Sequence, residues 1–313
     1  MKQIKYNNIE GLKKDFLSIF KDNHILVYEW PELRNRIISA GGDEKLYPQD
    51  ISDLLIADFE LLAYLFFDYN KLDLPQETRQ DIDRLFAFKS KWHSAISDYF
   101  SKHATDIGIS TCYYCDTAYI NTYKVKNSNK RHFDLDHFLP KSQCPLVSFS
   151  LFNLIPCCPV CNQRLKRNKV LGCNAQESIS LSPSSKYYAF DDYSHFAVLP
   201  IHIGKGLRFV DNADNYKVEI IPKLDVCKKE INMFQLNDRY DFHKIRALRL
   251  LDLIKDYPPA HIKMIHNVLI KSGAFHSEQK ITEDIFGNQH AQNYKRAFAK
   301  LILDVMKTYR QTV

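Results

Sequence analysis

Two short cysteine pairs constrain this chain more than any other feature: Cys112-Tyr-Tyr-Cys115 and Cys158-Pro-Val-Cys161. A C-x-x-C turn points two thiolates at one place, and zinc takes four sulfurs in a closed tetrahedron. With 42 residues between the pairs, a shared ion draws two distant segments together and makes one module of what lies between. Such a site is structural, because no ligand position is left for a substrate. It also stabilises a segment too irregular to bury a large core. One pair alone would suit a redox dithiol; two pairs bracketing a basic segment favour zinc. Iron accepts the same four sulfurs. Cys157 adjoins Cys158 and competes with it as a ligand. Cys158 is preferred because its spacing to Cys161 repeats that of the first pair. Cys144 and Cys173 are expected to be buried thiols.

The distribution of cysteines favours metal over disulfides. Seven of the eight lie between Cys112 and Cys173, and the N-terminal "MKQIKYNNIEGLKKDF" lacks the apolar core of a secretory signal. No stretch reaches the ~18 uninterrupted apolar residues of a membrane helix. A cytoplasmic protein without membrane contact is expected. Charge is concentrated in the same region. The chain carries 43 Lys and Arg against 37 Asp and Glu, and residues 112–170 hold nine against three, the same surplus of six. A local basic excess suits a polyanion such as nucleic acid; a solvated basic face reads the same by charge alone.

At 313 residues and 45% hydrophobic content, the chain has material for two domains or for one core with large additions. Residues 1–104 read as helical. In "IEGLKKDFLSIF" the apolar residues Ile9, Leu12, Phe16, Leu17 and Phe20 recur at helical spacing. "DISDLLIADFELLAYLFFDY" is apolar all round and reads as one buried helix. Pro75 opens a further helix through Phe100, with Leu85, Phe88, Trp92, Ile96 and Phe100 as one core-facing stripe. Over residues 105–180 the helical period gives way to short β-like runs, "AYINTYKV" and "HFDLDHFL", then to a short basic helix after the second cysteine pair. Residues 181–313 are mixed, then helical. A hairpin is expected in "RFVDNADNYKVEII" around its Asn/Asp-rich centre. The expected fold class is α+β, predominantly helical, with a small irregular module between helical segments.

The stretch "DLDHFLPKS", Asp134 to Ser142, lies between the cysteine pairs. Asn153 follows it, and Asn162 comes directly after Cys161. Hydrolysis of a phosphodiester needs a deprotonated water, neutralised charge on the phosphate and a stabilised leaving oxygen. A histidine of near-neutral pKa suits the first task. A hard divalent cation, Mg2+ or Mn2+, suits the other two and prefers oxygen ligands such as the Asp136 carboxylate and the Asn162 amide. Neighbours on a regular strand point to opposite faces, so Asp136 and His137 share one phosphate only if the strand ends there. "FLP" makes such an end plausible.

"CYYC", "DLDHFLPKS", "FNLIPCCPVCN" and "RLKRNK", in this order, resemble the HNH endonucleases with their ββα-metal core. The match covers about sixty residues, Cys112 to Lys169. The resemblance implies His137 as general base, Asp136 and Asn162 as ligands of the catalytic ion, and Asn153 as the asparagine that braces the loop. It also implies the four-cysteine zinc site as the support of the hairpin and helix. Arg164, Lys166, Arg167 and Lys169 are expected to contact backbone phosphates with little sequence preference. Asp134 reads either as support behind the ion or as a solvent-facing carboxylate, and His132 as a structural residue or a phosphate contact. DNA is the expected substrate, since most of the family cuts DNA, and RNA stays open. The helical flanks resemble, in kind, those of anti-phage nuclease effectors such as the HNH subunit of Septu and related retron systems, which implies a partner ATPase. A different class of function, a zinc-knuckle module that binds nucleic acid or protein without cutting, explains the cysteines and basic residues equally well. It leaves the order of Asp136, His137, Asn153 and Asn162 unexplained.

Overall fold

The computed structural model describes residues 2–21, 24–87, 90–126, 128–202, 208–273, 276–286 and 296–309. The fold is α+β and predominantly helical, and the strands described form antiparallel pairs. The chain divides into two compact units. One is Met1–Asp191 with Asp225–Phe234; the other is Asp192–Leu224 with Gln235–Val313. Among the described residues no helix is long and apolar enough to cross a membrane.

The first unit opens with helices α1 (Ile9–Ser18), α2 (His24–Ser39), α3 (Ile51–Leu55), α4 (Phe59–Tyr69), α5 (Gln76–Leu85), α6 (Ser90–Lys102) and α7 (Ala104–Ile107). The run expected as one helix over residues 50–69 is two, because Asp58 takes an extended conformation (ψ 151°) at the N-cap of α4. A short acidic side chain favours such a position over a helix interior. Leu54, Leu55, Phe59, Leu62 and Phe66 are buried nonetheless. The helix expected to reach Phe100 is also divided, into α5 and α6. Phe86 leaves helical geometry at the end of α5 (φ −97°, ψ 15°) and buries its ring against Trp30 and Phe149. Core burial outweighs helix continuity here. Of the predicted stripe, Leu85, Ile96 and Phe100 are buried, Trp92 is half-buried, and Phe88 lies outside the described residues.

Two strand pairs follow. β1 (Thr122–Val125) pairs with β2 (Ser128–Arg131), and β3 (Asp134–His137) pairs with β4 (Leu154–Cys157). The register sets Asp134 opposite Cys157 and Asp136 opposite Ile155. A π-helical turn, Val160–Lys166, comes next, then α8 (Ala175–Leu181) and the short α9 (Phe190–Tyr193), within which the division between the units falls. α10 (Asp225–Met233) completes this unit, and Lys229 pairs with Glu177 at the start of α8.

The connection from β3 to β4 is held by the N-terminal helices. Phe149 packs its ring 5.5 Å from Phe20, 5.9 Å from Phe86 and 6.1 Å from Trp92. Phe138 meets Phe59 edge-on at 5.2 Å. Aromatic pairs of this kind each add about 1 kcal/mol beyond their burial. Ser148 Oγ donates to the Phe86 carbonyl at 2.9 Å and Ser150 Oγ to the Leu54 carbonyl at 3.0 Å. Both carbonyls lie at helix ends, and that of Leu54 also accepts from the Ala57 amide at 3.4 Å. The helices of residues 1–104 and the segment 105–180 thus share one core.

In the second unit, β5 (Ser194–Pro200) pairs with β6 (Tyr216–Pro222) over their full length. The hairpin expected within Arg208–Ile221 does not form. Val210–Asn215 is a 3-10 turn, and Tyr216–Pro222 reaches back to β5. The reason is burial: Phe196 lies opposite Ile220 and Val198 opposite Val218, and all four are buried. Helices α11 (Leu236–Asp241), α12 (Ile245–Asp256), α13 (Pro259–Lys271), α14 (Glu278–Phe286) and α15 (Ala299–Tyr309) complete the unit. Helix side chains satisfy the exposed edges of the pair. Asp304 accepts from the Phe196 amide, Asp241 from Val218 and Asn237 from Ile220, at 2.8–3.0 Å. This blunts edges that would otherwise recruit another strand.

Candidate metal centre and the strand beside it

Cys112, Cys115, Cys158 and Cys161 are buried, and their sulfurs all lie within 4.8 Å of one another. Cys115 Sγ and Cys158 Sγ are 4.0 Å apart. A tetrahedral zinc ion with Zn–S bonds of about 2.3 Å separates its sulfurs by about 3.8 Å, so the residues fit the ion. The local backbone explains the convergence. The Asp116 amide donates to the Cys112 carbonyl at 2.8 Å, with Asp116 itself in the left-handed region (φ 52°). The Asn162 amide donates to the Cys158 carbonyl at 3.1 Å. Burial raises the Cys112 thiol well above its ordinary pKa, so four thiolates coexist there only around a cation.

Cys157 is buried on β4 but stands outside this cluster. Cys144 is buried as expected; Cys173 is exposed, contrary to expectation, because it precedes the N-cap of α8 at the surface. Among the described residues, the four cysteines are the only group of three or more His, Cys, Asp or Glu side chains spaced to hold a metal.

Two contacts around the cluster escape sequence reasoning. Thr117 Oγ1 donates to Cys115 Sγ at 3.2 Å. Lys2 is buried, donates to Thr111 Oγ1 at 2.6 Å and Ser110 Oγ at 3.1 Å, and lies 4.9 Å from the centre of the Tyr113 ring. Burial lowers its pKa, while Asp116, Cys112 and Cys115 act to raise it. With zinc bound to four thiolates the centre would carry a double negative charge, part of which a protonated Lys2 would offset.

β3 lies directly against the second cysteine pair. Strand alternation puts Asp134 and Asp136 on one face and His137 on the other, and the strand ends at His137. Asp136 is 3% exposed. Its Oδ2 accepts from the Tyr114 hydroxyl at 2.6 Å. Lys166 Nζ stands 3.0 Å from Oδ2 and 3.2 Å from Oδ1. Burial pushes the Asp136 carboxyl up, and Lys166 and Tyr114 pull it back towards ionisation. Lys166 is fully buried and also donates to the His137 carbonyl at 2.8 Å. Tyr114, the second tyrosine of the first cysteine turn, stacks on Phe234 with centroids 4.5 Å apart.

The His137 ring is half-buried, with Nε2 2.9 Å from the Ser148 carbonyl. Its pKa is lowered to about 3, first by burial, then by the nearby charge of Lys141, so as arranged here the ring does not have the near-neutral pKa expected of a general base. The neutral ring donates from Nε2 to that carbonyl, which makes Nδ1 the acceptor nitrogen. Asn153 is fully buried. Its Oδ1 accepts from the Leu139 amide at 2.8 Å, and its Nδ2 donates to the Leu139 carbonyl at 3.0 Å and the Val147 carbonyl at 2.9 Å. One side chain therefore clamps both ends of the loop that carries Ser148.

Asn162 and Asp136, paired in the sequence reading, have different partners. Asn162 Nδ2 donates to Asp134 Oδ2 at 3.1 Å, and Gln163 Nε2 donates to the same oxygen at 2.8 Å. Asp134 is thus bonded to the π-helical turn. The basic group also divides: Arg164, Arg167 and Lys169 are exposed, while Lys166 points inward to Asp136. A buried ammonium already paired with a carboxylate is not available to a phosphate. His132 is exposed beyond the end of β2. With its carboxylate engaged by Lys166 and Tyr114 and closed to water, Asp136 as arranged here does not fit a hydrated Mg2+ or Mn2+ ion, which keeps several of its waters. No protein-family model, curated protein or solved structure matches this chain.

Proposed function

We propose that the chain is an HNH-type endonuclease that hydrolyses phosphodiester bonds, with DNA the favoured substrate over RNA. The observation that carries this reading is the setting of His137. The ring sits at the end of β3, its Nε2 on the Ser148 carbonyl of a loop clamped by Asn153, on a strand whose partner β4 leads into the second cysteine pair. In this reading Nδ1 accepts the proton of the attacking water. Asn153 keeps the loop, and with it the ring, in position. Exposed Arg164, Arg167 and Lys169 neutralise backbone phosphates without reading sequence. Zinc, held by Cys112, Cys115, Cys158 and Cys161, is structural. In enzymes of this class a divalent ion stabilises charge on the phosphate. A cytoplasmic effector of anti-phage defence, acting with an ATPase, is the context that the resemblance of the sequence suggests.

The ion pair of Asp136 with Lys166 favours a second reading, a zinc-knuckle module that binds nucleic acid without cutting it. One experiment separates the two. Purified zinc-loaded protein is incubated with plasmid, single-stranded DNA and RNA, with and without Mg2+ or Mn2+. Cleavage is expected from the wild type and abolished in His137→Ala at unchanged zinc content. Binding without cleavage by the wild type would favour the second reading, and normal cleavage by His137→Ala would remove His137 from the reaction.

A further inference from the structure

The sequence pattern assigns the Asp136 carboxylate to a divalent ion, yet a cation of the chain itself already stands beside it. Lys166 Nζ lies 3.0 Å from Oδ2 and 3.2 Å from Oδ1, so one ammonium spans both oxygens. The Tyr114 hydroxyl takes a further lone pair of Oδ2 at 2.6 Å. The ammonium makes a second bond, 2.8 Å to the His137 carbonyl, and lies 5.8 Å from the centre of the Phe138 ring. Lys166 is 0% exposed and Asp136 3%. Tyr114 is buried as well and covered by the stacked Phe234 ring.

Charge and space both act against a second cation. One carboxylate and one ammonium are neutral together, which is the condition for holding either of them out of water. A divalent ion added at Asp136 would face the Lys166 charge at close range in a poorly screened interior. Mg2+ and Mn2+ prefer several oxygen ligands, water included; the Asp136 carboxylate is already bonded to two donors, and Asp134 on the same face already accepts from Asn162 and Gln163.

We infer that Lys166 is the resident cation of the Asp136 pocket and excludes divalent metal ions from that carboxylate. The pair ties the π-helical turn, which ends at Lys166, to β3. A metal ion reaches Asp136 only when Lys166 withdraws, and this turn would have to move for that. The inference stands on the ion pair and does not depend on whether the chain cuts nucleic acid.

The test is Mn2+ binding, read by electron paramagnetic resonance of the free ion, in the full zinc-loaded chain. Wild type, Asp136→Asn, Lys166→Met and the double variant are compared. Wild type and Asp136→Asn are expected to bind Mn2+ alike. Lys166→Met is expected to gain affinity by about tenfold or more, and the double variant to lose that gain. Loss of Mn2+ binding in Asp136→Asn relative to wild type would overturn the inference, and so would a folded Lys166→Met protein that gains nothing. Removing Lys166 alone strands a buried carboxylate, so melting is recorded for all four. If Lys166→Met does not fold, recovery in the double variant supports the pair. Additive losses in the double variant overturn it.

Discussion

Asn153→Ala removes the clamp on the loop between β3 and β4. Three hydrogen bonds vanish, and the Leu139 amide and the Leu139 and Val147 carbonyls lose their side-chain partner. Asn153 is fully buried, and a bond of this kind contributes about 1 kcal/mol net, more when a buried group is left unpaired. The expected destabilisation is about 3–5 kcal/mol, or roughly 10 °C in melting temperature for a unit of this size. Asn153→Asp is the sharper control. It keeps an acceptor for the Leu139 amide but turns a carboxylate oxygen towards two carbonyls, so it should be no better than alanine. Thermal melting of the zinc-loaded protein measures the size. Amide exchange over residues 138–153 locates it, since the loop bearing Ser148 should open first. An Asn153→Ala protein that melts within about 2 °C of wild type, with unchanged exchange in that loop, would refute the argument.

Three other outcomes are expected. Cys161→Ser should abolish stoichiometric zinc and unfold the module, whereas Lys2→Met should keep zinc but release it to a chelator at about tenfold lower concentration; metal analysis and chelator titration read both. Glu177 accepts from the Cys173 thiol and amide and pairs with Lys229, which holds its carboxyl down to about 2. A depressed carboxylate stabilises above the unfolded pKa and loses that contribution as pH falls through the folded one. Wild type should therefore exceed Glu177→Gln in stability by about 1 kcal/mol near neutrality, given its partial exposure. The gap should close between pH 4.5 and about 2, and urea melts at stepped pH would expose a gap that widens in acid instead.

Several features were legible in the residues alone. The four-cysteine cluster was, because C-x-x-C is a local turn geometry and four sulfurs have few other uses at that spacing. The fold class followed from the change of hydrophobic period near residue 105. The helix break at Phe86 was not legible, since it depends on where that ring is buried; the break at Asp58 has a local cause, a short acidic side chain that favours a helix start, hidden by the apolar run around it. The partner of β6 was equally hidden: "RFVDNADNYKVEII" contains a good local turn, but the apolar face that covers Val218 and Ile220 belongs to β5.

In the site the division is the same. Sequence order placed Asp136, His137, Asn153 and Asn162 near the cysteines. It said nothing of what each side chain touches. Lys166 reads as one basic residue among four in "RLKRNK", and a charge count cannot separate them. The π-helical turn does so, sending Lys166 inward to Asp136 and leaving Arg164, Arg167 and Lys169 in solvent. Lys2, Thr111 and the cysteine cluster meet across more than a hundred residues, and no local pattern encodes that meeting. Residue type and spacing determine which chemistry is available to this chain. Packing decides which of those groups are exposed and which are already paired, because the free energy of a charge depends on the water and partners around it.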